Sequence, residues 1–509
     1  MKLSYFFLIK IEFIYVQIIH SFVRRKITEK MASWKDDSQR KAILIRGCRQ
    51  IGKTYIIRDF ISSNYECYME FNLEERKDIA QLFRDKNLTA PAIIDRLIFD
   101  SPDIKKIVPG NSAIFLDEIQ SCTEAYASLK ALADDGRFDI FASGSLLGVM
   151  LNDLQDQSPL GYVNMIDMYP MDFEEFLWAM GIDPEYTEYI RKCILRCERI
   201  DEFILTRISD LFRRYLVVGG MPAAVIDYAS KQDYSSVRSI LGDIAELIGQ
   251  DAQRYSKGAQ RMHIDACLKS IPEQLAKPNK KFQYTRIEKR KGVGKRIYGP
   301  ALMWLKNAGL IHICNNVTEP VSPLRERTVA DVFKIYLADT GILMALTEEN
   351  IEGTIVNRDP LANNGMVMEN AVACALRSKG YTLRYYEKTN STLEIEFVVN
   401  LQGSITAMEV KSGRKKKSKS LKMVFTTTHT VDRAIKLSEG NVFKDENGVE
   451  HYPLFGVCFF PDASYSDLGP IDYMDDLKGR LRMIGGKDAP DESRIALKRL
   501  GMRNSAKDA

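Results

Sequence analysis

The stretch GCRQIGKT, residues 47–54, constrains the fold more than any other part of this 509-residue chain. It fits the pattern G-x-x-x-x-G-K-[ST], in which a glycine-bounded loop wraps a phosphate group. The apolar run KAILIRG at 41–47 predicts a buried strand before the loop, and TYIIRDFI after it has helical spacing. Chance matches to the four fixed positions should occur about 0.02 times in such a chain. A glycine turn with a surface lysine is therefore a poor competitor to a phosphate-binding loop.

The residues of this loop have distinct expected roles. Gly47 and Gly52 let the backbone approach a phosphate, whose charge is stabilised by amides at the helix N-terminus. Lys53 would reach the β- and γ-phosphates of a nucleotide, and Thr54 would ligate Mg²⁺. Gln50 lies inside the loop and completes the predicted nucleotide-binding set. ATP and Mg²⁺ are therefore the expected cofactors.

A second apolar run, SAIFLDEIQ at 112–120, ends in two acids. It predicts a strand whose last residue, Asp117, would hold Mg²⁺ through its waters. The next residue, Glu118, would polarise the water that attacks the γ-phosphate. Such a pair is weak by itself, but about 65 residues after a phosphate-binding loop it becomes a strong signal.

A third strand is predicted for RFDIFASGS at 137–145, which ends in Ser143 and Ser145. A polar residue at that place can sit beside the γ-phosphate and respond to its loss. A serine and glycine helix cap fits the same pattern equally well. The predicted catalytic residues of ATP hydrolysis are Lys53, Glu118 and Ser143.

The formal net charge of +4 hides a strong local asymmetry. Segment 277–296 has nine Lys or Arg against one Glu, and segment 414–419 has five Lys or Arg and no acid. Without these two segments the chain carries 58 basic and 67 acidic residues, a net charge of −9. Concentrated basic patches on a mildly acidic protein predict a local surface for a polyanion, and DNA is the expected one.

Cysteine and histidine usage excludes several function classes. The nine cysteines are scattered without a CxxC pair, which argues against a disulfide scaffold or a Cys-rich zinc site and favours the reduced cytoplasm. The five histidines never cluster, so zinc hydrolase and Ser-His-Asp chemistry lack their parts. We expect His312, in the apolar stretch LIHI, to be a packed strand histidine.

The two ends of the chain differ in character. Residues 1–20 are apolar, but Lys10 and Glu12 interrupt the run. A packed segment, or a start upstream of the native one with Met31 as an alternative, is therefore favoured over a membrane anchor. The tail at 461–509 is polar and broken by Pro and Gly, so we expect it to be partly disordered.

Six motifs, in order along the chain, resemble those of a large prokaryotic group of AAA-superfamily P-loop ATPases. They are IRGCRQIGKT, FNLEE, IFLDEIQ, ASGSLLG, YPMDFEEFL and YLVVGGMP, and the resemblance runs from about residue 21 to residue 460. It implies a C-terminal half that combines a winged helix with a restriction-endonuclease-like module. The family often has a Gly-Arg pair where this chain has Gly161 and Tyr162. Arg213 and Arg214 are candidate substitutes for an arginine that acts on a neighbour's nucleotide, and a hexamer is not assumed.

The region 276–345 changes character from the helix-rich pattern of 181–275 to a basic segment, a helix and a strand. We expect the helix to begin at Pro300 and end at Gly309, as in the winged helix that the resemblance implies. Basic residues around its start could contact DNA phosphates, with binding that weakens as salt rises. Winged helices also dock proteins, in which case the same side chains are merely solvated. The residues concerned are Lys280, Lys281, Arg286, Lys289, Arg290, Lys291, Lys295 and Arg296.

LEIEFVV at 393–399 alternates and predicts a strand that pairs in a hairpin with ITAMEVKSG at 405–413. If Val398 pairs with Ala407, three acids and a lysine crowd one face of the hairpin. The opposite face would carry Leu393, Ile395, Phe397 and Val399.

In this register Glu396 lies opposite Glu409, and Glu394 lies opposite Lys411. Opposed carboxylates repel, so a cation is expected between them, and Mg²⁺ is the obvious one. A simple Glu394–Lys411 ion pair across the strands, without any catalysis, fits the same face. Both interpretations stay open at this point.

With Glu369 on the preceding helix, this hairpin resembles the core of the PD-(D/E)xK nuclease fold. The resemblance implies Glu396 and Glu409 as metal ligands, Lys411 as the group that orients a water, and Glu369 as a helper. The family most often has Asp where Glu396 stands, so an active nuclease and a degenerate one are both open. The basic run at 414–419 lies where a DNA strand would pass.

These patterns predict an α/β protein with several modules in sequence. An AAA-type P-loop core spans 21–180, a helical segment 181–275, a winged helix 276–345 and a nuclease-like module 346–460. The expected function is Mg²⁺-dependent ATP binding and hydrolysis, coupled to a C-terminal module that binds nucleic acid and cuts it if active. The alternative is an ATP-driven switch or scaffold that recruits protein partners or further copies of itself, with a degenerate nuclease fold. A cytoplasmic location is expected, without membrane association.

Overall fold

The structure is a computed structural model. Its described residues form three sheets and sixteen α-helices. It describes residues 24–463, apart from positions 86, 103, 105, 146–162, 256–259, 289–293, 348–350, 359–363, 389–392, 413–417 and 428. The predicted extension at 1–20 and nearly all of the predicted tail lie outside the described residues. The same is true of Gly161, Tyr162 and most of the second basic patch.

A five-stranded parallel sheet carries the N-terminal part of the fold, with strand order β2-β3-β4-β1-β5. Its strands are β1 (Ala42–Arg46), β2 (Cys67–Asn72), β3 (Ser112–Asp117), β4 (Asp139–Gly144) and β5 (Val163–Asp167). The strands predicted around 41–47, 112–120 and 137–145 are β1, β3 and β4. Because both faces of the sheet are covered, β1 and β3 are apolar almost throughout rather than alternating.

Helices cover this sheet on both faces and extend beyond it as a helical region. Those around the sheet are α1 (Ile27–Lys35), α2 (Lys53–Asn64), α3 (Lys77–Arg84), α4 (Ala90–Phe99) and α5 (Thr123–Asp134). Those that follow are α6 (Phe173–Ala179), α7 (Pro184–Arg196), α8 (Glu202–Val218), α9 (Pro222–Lys231), α10 (Tyr234–Tyr255) and α11 (Gln260–Leu275). The helix-rich pattern predicted for 181–275 is therefore confirmed.

A helix and a hairpin follow the basic segment. The helix is α12 (Lys295–Asn307), and the antiparallel hairpin consists of β6 (Ile311–Val317) and β7 (Thr328–Leu337). The predicted start at Pro300 is wrong, because Pro300 lies inside α12 and the preceding turn is already helical. A proline removes one backbone hydrogen bond but does not forbid a turn before it. Gly309 follows the helix with a φ of 73°, as the predicted end requires.

Two further sheets form the C-terminal part. One has the order β7-β6-β8-β9 and the other β10-β11-β12-β14-β13. The strands are β8 (Arg384–Glu387), β9 (Glu394–Ile395), β10 (Phe397–Leu401), β11 (Ser404–Val410), β12 (Arg433–Ser438), β13 (Phe443–Lys444) and β14 (Glu450–Pro453). The helices are α13 (Thr340–Ala345), α14 (Glu352–Val356), α15 (Asn364–Ser378) and α16 (Lys419–Lys422). Because β6 pairs with β8, one sheet crosses the module boundary that we expected at residue 345.

The run LEIEFVV does not form the single alternating strand that its pattern predicts. It is split at Glu396 into β9, which pairs with β8, and β10, which pairs with β11. Ile395 and Val398 therefore pack in one apolar cluster, whereas Phe397 and Val399 pack in another. The bend at Glu396 interrupts the alternation of side chains between the two faces of a strand. The prediction that Ile395 shares one face with Phe397 and Val399 is therefore wrong.

The N-terminal part and the C-terminal part share one apolar core. The same cluster contains Ile43 of β1, Phe176 of α6, Leu305 of α12 and Phe397 of β10. Packing of this kind places the end of α12 directly against the phosphate-binding loop, where a Cβ on Gly309 would lie 3.5 Å from the amide nitrogen of Cys48. The two parts are thus in contact at the loop itself.

Three chain segments, around Met171, residues 218–220 and residues 339–341, meet beside this contact, and we call this place the Asp339 joint. A Cβ on Gly220 would meet the carbonyl oxygen of Met171 at 2.0 Å, and one on Gly341 would meet that of Val218 at 2.4 Å. The buried carboxylate of Asp339 accepts from the amide of Gly220 at 2.6 Å. Burial raises the pKa of Asp339 to about 6. Only glycine permits such close approach of backbones.

Among the described residues, no helix is long and apolar enough to cross a membrane.

Candidate functional site

The loop between β1 and α2 has the backbone shape of an anion cradle. Gln50 has a φ of 63° and Gly52 a φ of 86°, so the chain turns its amides inward before α2 begins at Lys53. A Cβ on Gly47 would lie 2.2 Å from the carbonyl oxygen of Met168. Glycine is therefore required at position 47 for packing and at position 52 for its left-handed backbone.

Lys53 lies inside this loop rather than on the surface. Its side chain is buried, and its Nζ donates to the carbonyl oxygens of Gly47 at 3.1 Å and Cys48 at 2.8 Å. Burial lowers the pKa of Lys53. Within the described residues, this buried ammonium has only backbone carbonyls as hydrogen-bond partners, so it is well placed to receive an anion.

Asp117, at the end of β3, accepts hydrogen bonds from two hydroxyl groups. Thr54 Oγ1 lies 3.2 Å from Oδ1 and 3.0 Å from Oδ2 of Asp117, and Ser143 donates a further hydrogen bond to Oδ1. Burial and the neighbouring Glu118 raise the pKa of Asp117, whereas the hydrogen bonds from Ser143 and Thr54 oppose this rise. The structure thus brings together three side chains that the sequence predicts from separate motifs.

The carboxylate of Glu118 is oriented by a second set of hydrogen bonds. It has a φ of 50°, an uncommon backbone conformation for a non-glycine residue. Its Oε2 accepts hydrogen bonds from Gln120 and, at 3.0 Å, from Ser145. The two serines of the third motif therefore contact different acids: Ser143 donates a hydrogen bond to Asp117, and Ser145 donates one to Glu118. Gln120 is a site residue that the sequence reasoning missed.

Two arginines of the site were also missed. Arg49, inside the loop, forms ion pairs with Asp251 of α10 at 2.9 Å and with Glu74 at 3.5 Å. Arg25, just before α1, donates to the carbonyl of Ile51 within the loop. The only sequence signal for Arg49 is its position between Gly47 and Gly52 in the motif. The sequence around Arg25 contains no motif that would predict its contact with the loop.

The oxygen atoms of Thr54 and Asp117 fit Mg²⁺. This ion prefers oxygen ligands, and in nucleotide sites it takes one or two protein groups while phosphates and waters supply the rest. No cluster of three or more acidic, histidine or cysteine ligands occurs within the described ranges. A Mg²⁺ site completed by the nucleotide is therefore the kind that these residues can form.

A second polar cluster lies in the C-terminal part around the hairpin β10–β11. Val398 pairs with Ala407, so the predicted register is confirmed. Lys411 Nζ lies 2.8 Å from Glu409 and 3.4 Å from Glu396. One carboxylate oxygen of Glu396 and one of Glu409 are buried without a hydrogen-bond partner in the described part of the chain. Burial, with Glu369 and Glu409 nearby, raises the pKa of Glu396 to about 7.

The predicted Glu394–Lys411 ion pair is wrong. Glu394 lies on β9, beyond the bend, and pairs with the buried Lys334 of β7 at 2.5 Å. Lys334 lowers the pKa of Glu394 against the opposing effect of burial. Glu369 of α15 is paired in turn with Lys280. Three lysines from separate parts of the chain, Lys280, Lys334 and Lys411, therefore face the acids of this cluster.

Lys280 and the neighbouring Lys281 are thus not free phosphate contacts, because Lys281 also pairs with Glu387 at 2.8 Å. Lys295 pairs with Asp331 at 2.6 Å. Three of the eight basic residues that we assigned to DNA contacts are engaged with acids. Lys289, Arg290 and Lys291 lie outside the described residues.

A cavity of about 1260 Å³, here called the α12 cleft, lies between the exposed face of α12 and the phosphate-binding loop. Gly47, Cys48 and Ser145 line one side of it. Five basic residues line the cleft against two acids, and the five are Arg46, Lys295, Arg296, Lys306 and Arg377. Arg46 pairs with Asp167, whereas Arg296 and Lys306 have no carboxylate partner among the described residues.

Other candidates have plain structural roles. His312 lies on β6 and is buried, as predicted, and burial lowers its pKa to about 3. Arg213 is buried rather than exposed on a helix surface, and it pairs with Glu439. Arg214 bonds the Tyr228 hydroxyl of its own chain at 3.4 Å. Arg213 is therefore not available to act on a neighbour's nucleotide.

Comparison with known families assigns the N-terminal part. Residues 39–177 match a family described as AAA domain, and they include the whole loop and the residues around Asp117. Residues 209–352 and 364–452 match two domains of unknown function. The AAA part of the resemblance is therefore supported for residues 39–177, which match the AAA domain family. No curated protein matched the chain.

Three solved structures that resemble the chain are archaeal and distant in sequence. A Walker-type ATPase of Pyrococcus abyssi is 15% identical, with a TM-score of 0.40, over 64% of this chain and 95% of its own. The Aeropyrum pernix ORC2 protein in ADPNP–ADP complexes is 14% identical, with a TM-score of 0.31, over 68% and 93%. The Aeropyrum pernix ORC1 protein in complex with DNA is 15% identical, with a TM-score of 0.27, over 66% and 91%.

Proposed function

We propose that the chain binds and hydrolyses ATP with Mg²⁺. The observation that supports this most directly is the convergence of Thr54 and Ser143 on the buried Asp117, beside the inward-facing Lys53. The loop amides would hold the β-phosphate, and Lys53 would exchange its two backbone carbonyls for phosphate oxygens.

Glu118 is the proposed base that orients the attacking water. Its carboxylate accepts hydrogen bonds from Ser145 and Gln120, which restrict the orientation of the side chain. A fixed carboxylate lowers the barrier because the water is already positioned when the phosphoryl group transfers. Thr54 and Asp117 would hold Mg²⁺, which neutralises charge on the phosphate oxygens when bound.

Phosphate release by the full chain, with and without Mg²⁺, tests this proposal. Lys53→Ala should abolish turnover, because the phosphates lose their buried cation. Lys41→Ala is a suitable control, since that lysine is exposed and precedes β1. Undiminished ATPase activity in Lys53→Ala would remove the assignment of the nucleotide site.

We further propose that the C-terminal part binds nucleic acid in the α12 cleft. The supporting observation is the excess of basic over acidic residues in the cleft, together with Arg296 and Lys306, which have no carboxylate partner in the described part of the chain. Phosphate contacts of this kind release counterions, so affinity should fall as salt rises. The cleft also touches the phosphate-binding loop at Cys48, which would let a bound strand influence ATP turnover.

Binding of a labelled oligonucleotide at two salt concentrations, with and without ATP, tests the cleft. Arg296→Ala and Lys306→Ala should each weaken binding and lower the salt slope by about one. Lys295→Ala is the matched control, because its ammonium is already paired with Asp331 and should matter less. DNA-stimulated ATPase that disappears at high salt would support the coupling. Slow, DNA-indifferent turnover would instead favour the nucleotide switch that recruits protein partners.

A nuclease role for the second cluster is a separate candidate. Glu396 and Glu409 each have one carboxylate oxygen without a partner among the described residues, and Lys411 lies beside them. These groups favour a site for Mg²⁺ that would also take a phosphodiester oxygen. Glu369 is tied to Lys280, which favours the degenerate alternative. Plasmid nicking with Mg²⁺ or Mn²⁺, lost in Glu409→Ala, would establish the nuclease. No cutting by the unmutated chain under either metal would leave a degenerate fold.

A further inference from the structure

Arg49 occupies an unusual place for a charged side chain, in the middle of the phosphate-binding loop. The carbonyl of the preceding Cys48 accepts from Lys53, and the following Gln50 has the left-handed backbone that turns the loop. The Arg49 backbone is therefore next to the groups that mark the position of the phosphates. Its side chain points away from the loop interior, towards α10.

The guanidinium of Arg49 is shared between two acids of other elements. It lies 2.9 Å from Asp251, whose side chain is only 8% exposed, and 3.5 Å from Glu74, which follows β2. Its Nε is buried and has no hydrogen-bond partner among the described residues. Leaving a buried donor of a charged group unpaired is costly, so this arrangement lacks one acceptor.

The terminal phosphate of ATP would supply that acceptor. Phosphate oxygens form the shortest and strongest hydrogen bonds with guanidinium groups, often two at once. Because the Arg49 side chain extends towards α10, its guanidinium has to turn away from Asp251 to reach a phosphate held in the loop. A γ-phosphate would therefore compete with Asp251, whereas ADP has no group at that place.

We propose that Arg49 senses the γ-phosphate: ATP draws its guanidinium from Asp251 to the terminal phosphate, and this frees α10 from the phosphate-binding loop. The inference rests on the proposed ATP site and adds a link to the rest of the chain. α10 packs against α9, α11 and α13, and α13 begins at the Asp339 joint. A change at Arg49 thus acts first on a helix outside the AAA domain.

Nucleotide titrations of the full chain test this inference, with ADPNP as the non-hydrolysable ATP analogue and ADP as the comparison. Arg49→Ala should weaken ADPNP binding by about ten- to a hundredfold, because charged hydrogen bonds are lost, and change ADP binding less than about twofold. Arg49→Lys should give an intermediate loss of ADPNP affinity, since lysine keeps the positive charge but lacks the planar guanidinium with its several N–H donors. Asp251→Asn should tighten ADPNP binding by about three- to tenfold, because the competing acceptor is weaker.

The double variant Arg49→Ala/Asp251→Asn separates sensing from folding, since neither charge is left buried alone. It should bind both nucleotides as Arg49→Ala does. In the unmutated chain, hydrogen exchange in α10 should be faster with ADPNP than with ADP, and this difference should vanish in Arg49→Ala. Equal weakening of ADPNP and ADP, or an effect of Asp251→Asn without Arg49, would overturn the sensor. If the unmutated chain binds neither nucleotide, the proposed ATP site fails and the sensor with it.

Discussion

Arg25 donates a hydrogen bond from its guanidinium to the main-chain carbonyl of Ile51, inside the phosphate-binding loop, at 2.9 Å. It also donates to the carbonyl of Tyr169 at 2.7 Å and pairs with Glu175 at 3.1 Å. The residue is 4% exposed. The shape of the loop therefore depends on a buried arginine that comes before α1, outside the residues that match the AAA domain.

Arg25→Ala should destabilise the fold by about 3–5 kcal/mol, because the buried carboxylate of Glu175 would lose its guanidinium partner. Urea-induced unfolding followed by intrinsic fluorescence measures this. Arg24→Ala is the matched control, since Arg24 is half exposed and its ion pair with Glu29 spans 3.8 Å. That control should cost less than about 1 kcal/mol. Equal effects of the two substitutions would contradict the bracing role of Arg25.

Gly220→Ala tests the joint between the YPMDF segment, the VVGG segment and α13. The added methyl group would overlap the Met171 carbonyl, where the gap is 2.0 Å, so the backbones must separate. We expect a loss of at least about 1–3 kcal/mol in unfolding free energy. Gly242→Ala in α10 meets nothing within 4 Å and should be neutral or stabilising by up to about 1 kcal/mol. A thermal melt of both variants decides this, and a harmless Gly220→Ala would show that the joint is not tight.

Thr54→Ala should lower ATP turnover by about tenfold or more, because Mg²⁺ loses an oxygen ligand and Asp117 loses a donor. Thr54→Ser keeps the hydroxyl group and should retain most of the activity. The measurement is steady-state turnover as a function of Mg²⁺ concentration, in which Thr54→Ala should need more Mg²⁺. An unchanged Mg²⁺ dependence in Thr54→Ala would argue against its role as a ligand.

Glu394 and Glu396 should give opposite pH effects although they are two residues apart. The pKa of Glu396 is raised to about 7 in the fold, so the stability it contributes is complete at low pH and is lost as pH rises through about 7. The pKa of Glu394 is lowered, so its contribution is present above the usual carboxylate range and is lost as pH falls. Relative to the unmutated chain, Glu396→Gln should therefore gain stability as pH rises from about 4.5 to 7.

The control for that experiment is Glu394→Gln, which should lose stability relative to the unmutated chain as pH rises through about 4. Urea midpoints at several pH values measure both differences. Parallel pH profiles for the two variants would contradict the assignment of Glu394 to Lys334 and of Glu396 to the buried acid pair.

Local patterns were sufficient for the elements that carry the AAA domain. Periodicity and glycine placement predict β1, β3, β4 and the loop, because a strand, a turn and a helix leave their signals within a few residues. The register of Val398 with Ala407 could also be predicted, since a short turn leaves few alternatives.

The rest depends on contacts that no local pattern records. The bend at Glu396 leaves the alternation of LEIEFVV intact in the sequence, although it moves Ile395 and Phe397 into different clusters. Lys280 meets Glu369 and Arg49 meets Asp251 only because distant segments pack together. The basic patch therefore looked more available to DNA than it is.

The most direct test of the account compares ATP binding with ATP turnover in Glu118→Gln. If Glu118 orients the attacking water, this variant should bind ATP with Mg²⁺ as tightly as the unmutated chain and release phosphate at least a hundredfold more slowly, on the order of a lost general base. Turnover at the unmutated rate, or the loss of binding together with turnover, would contradict the assignment of this site as an ATPase centre.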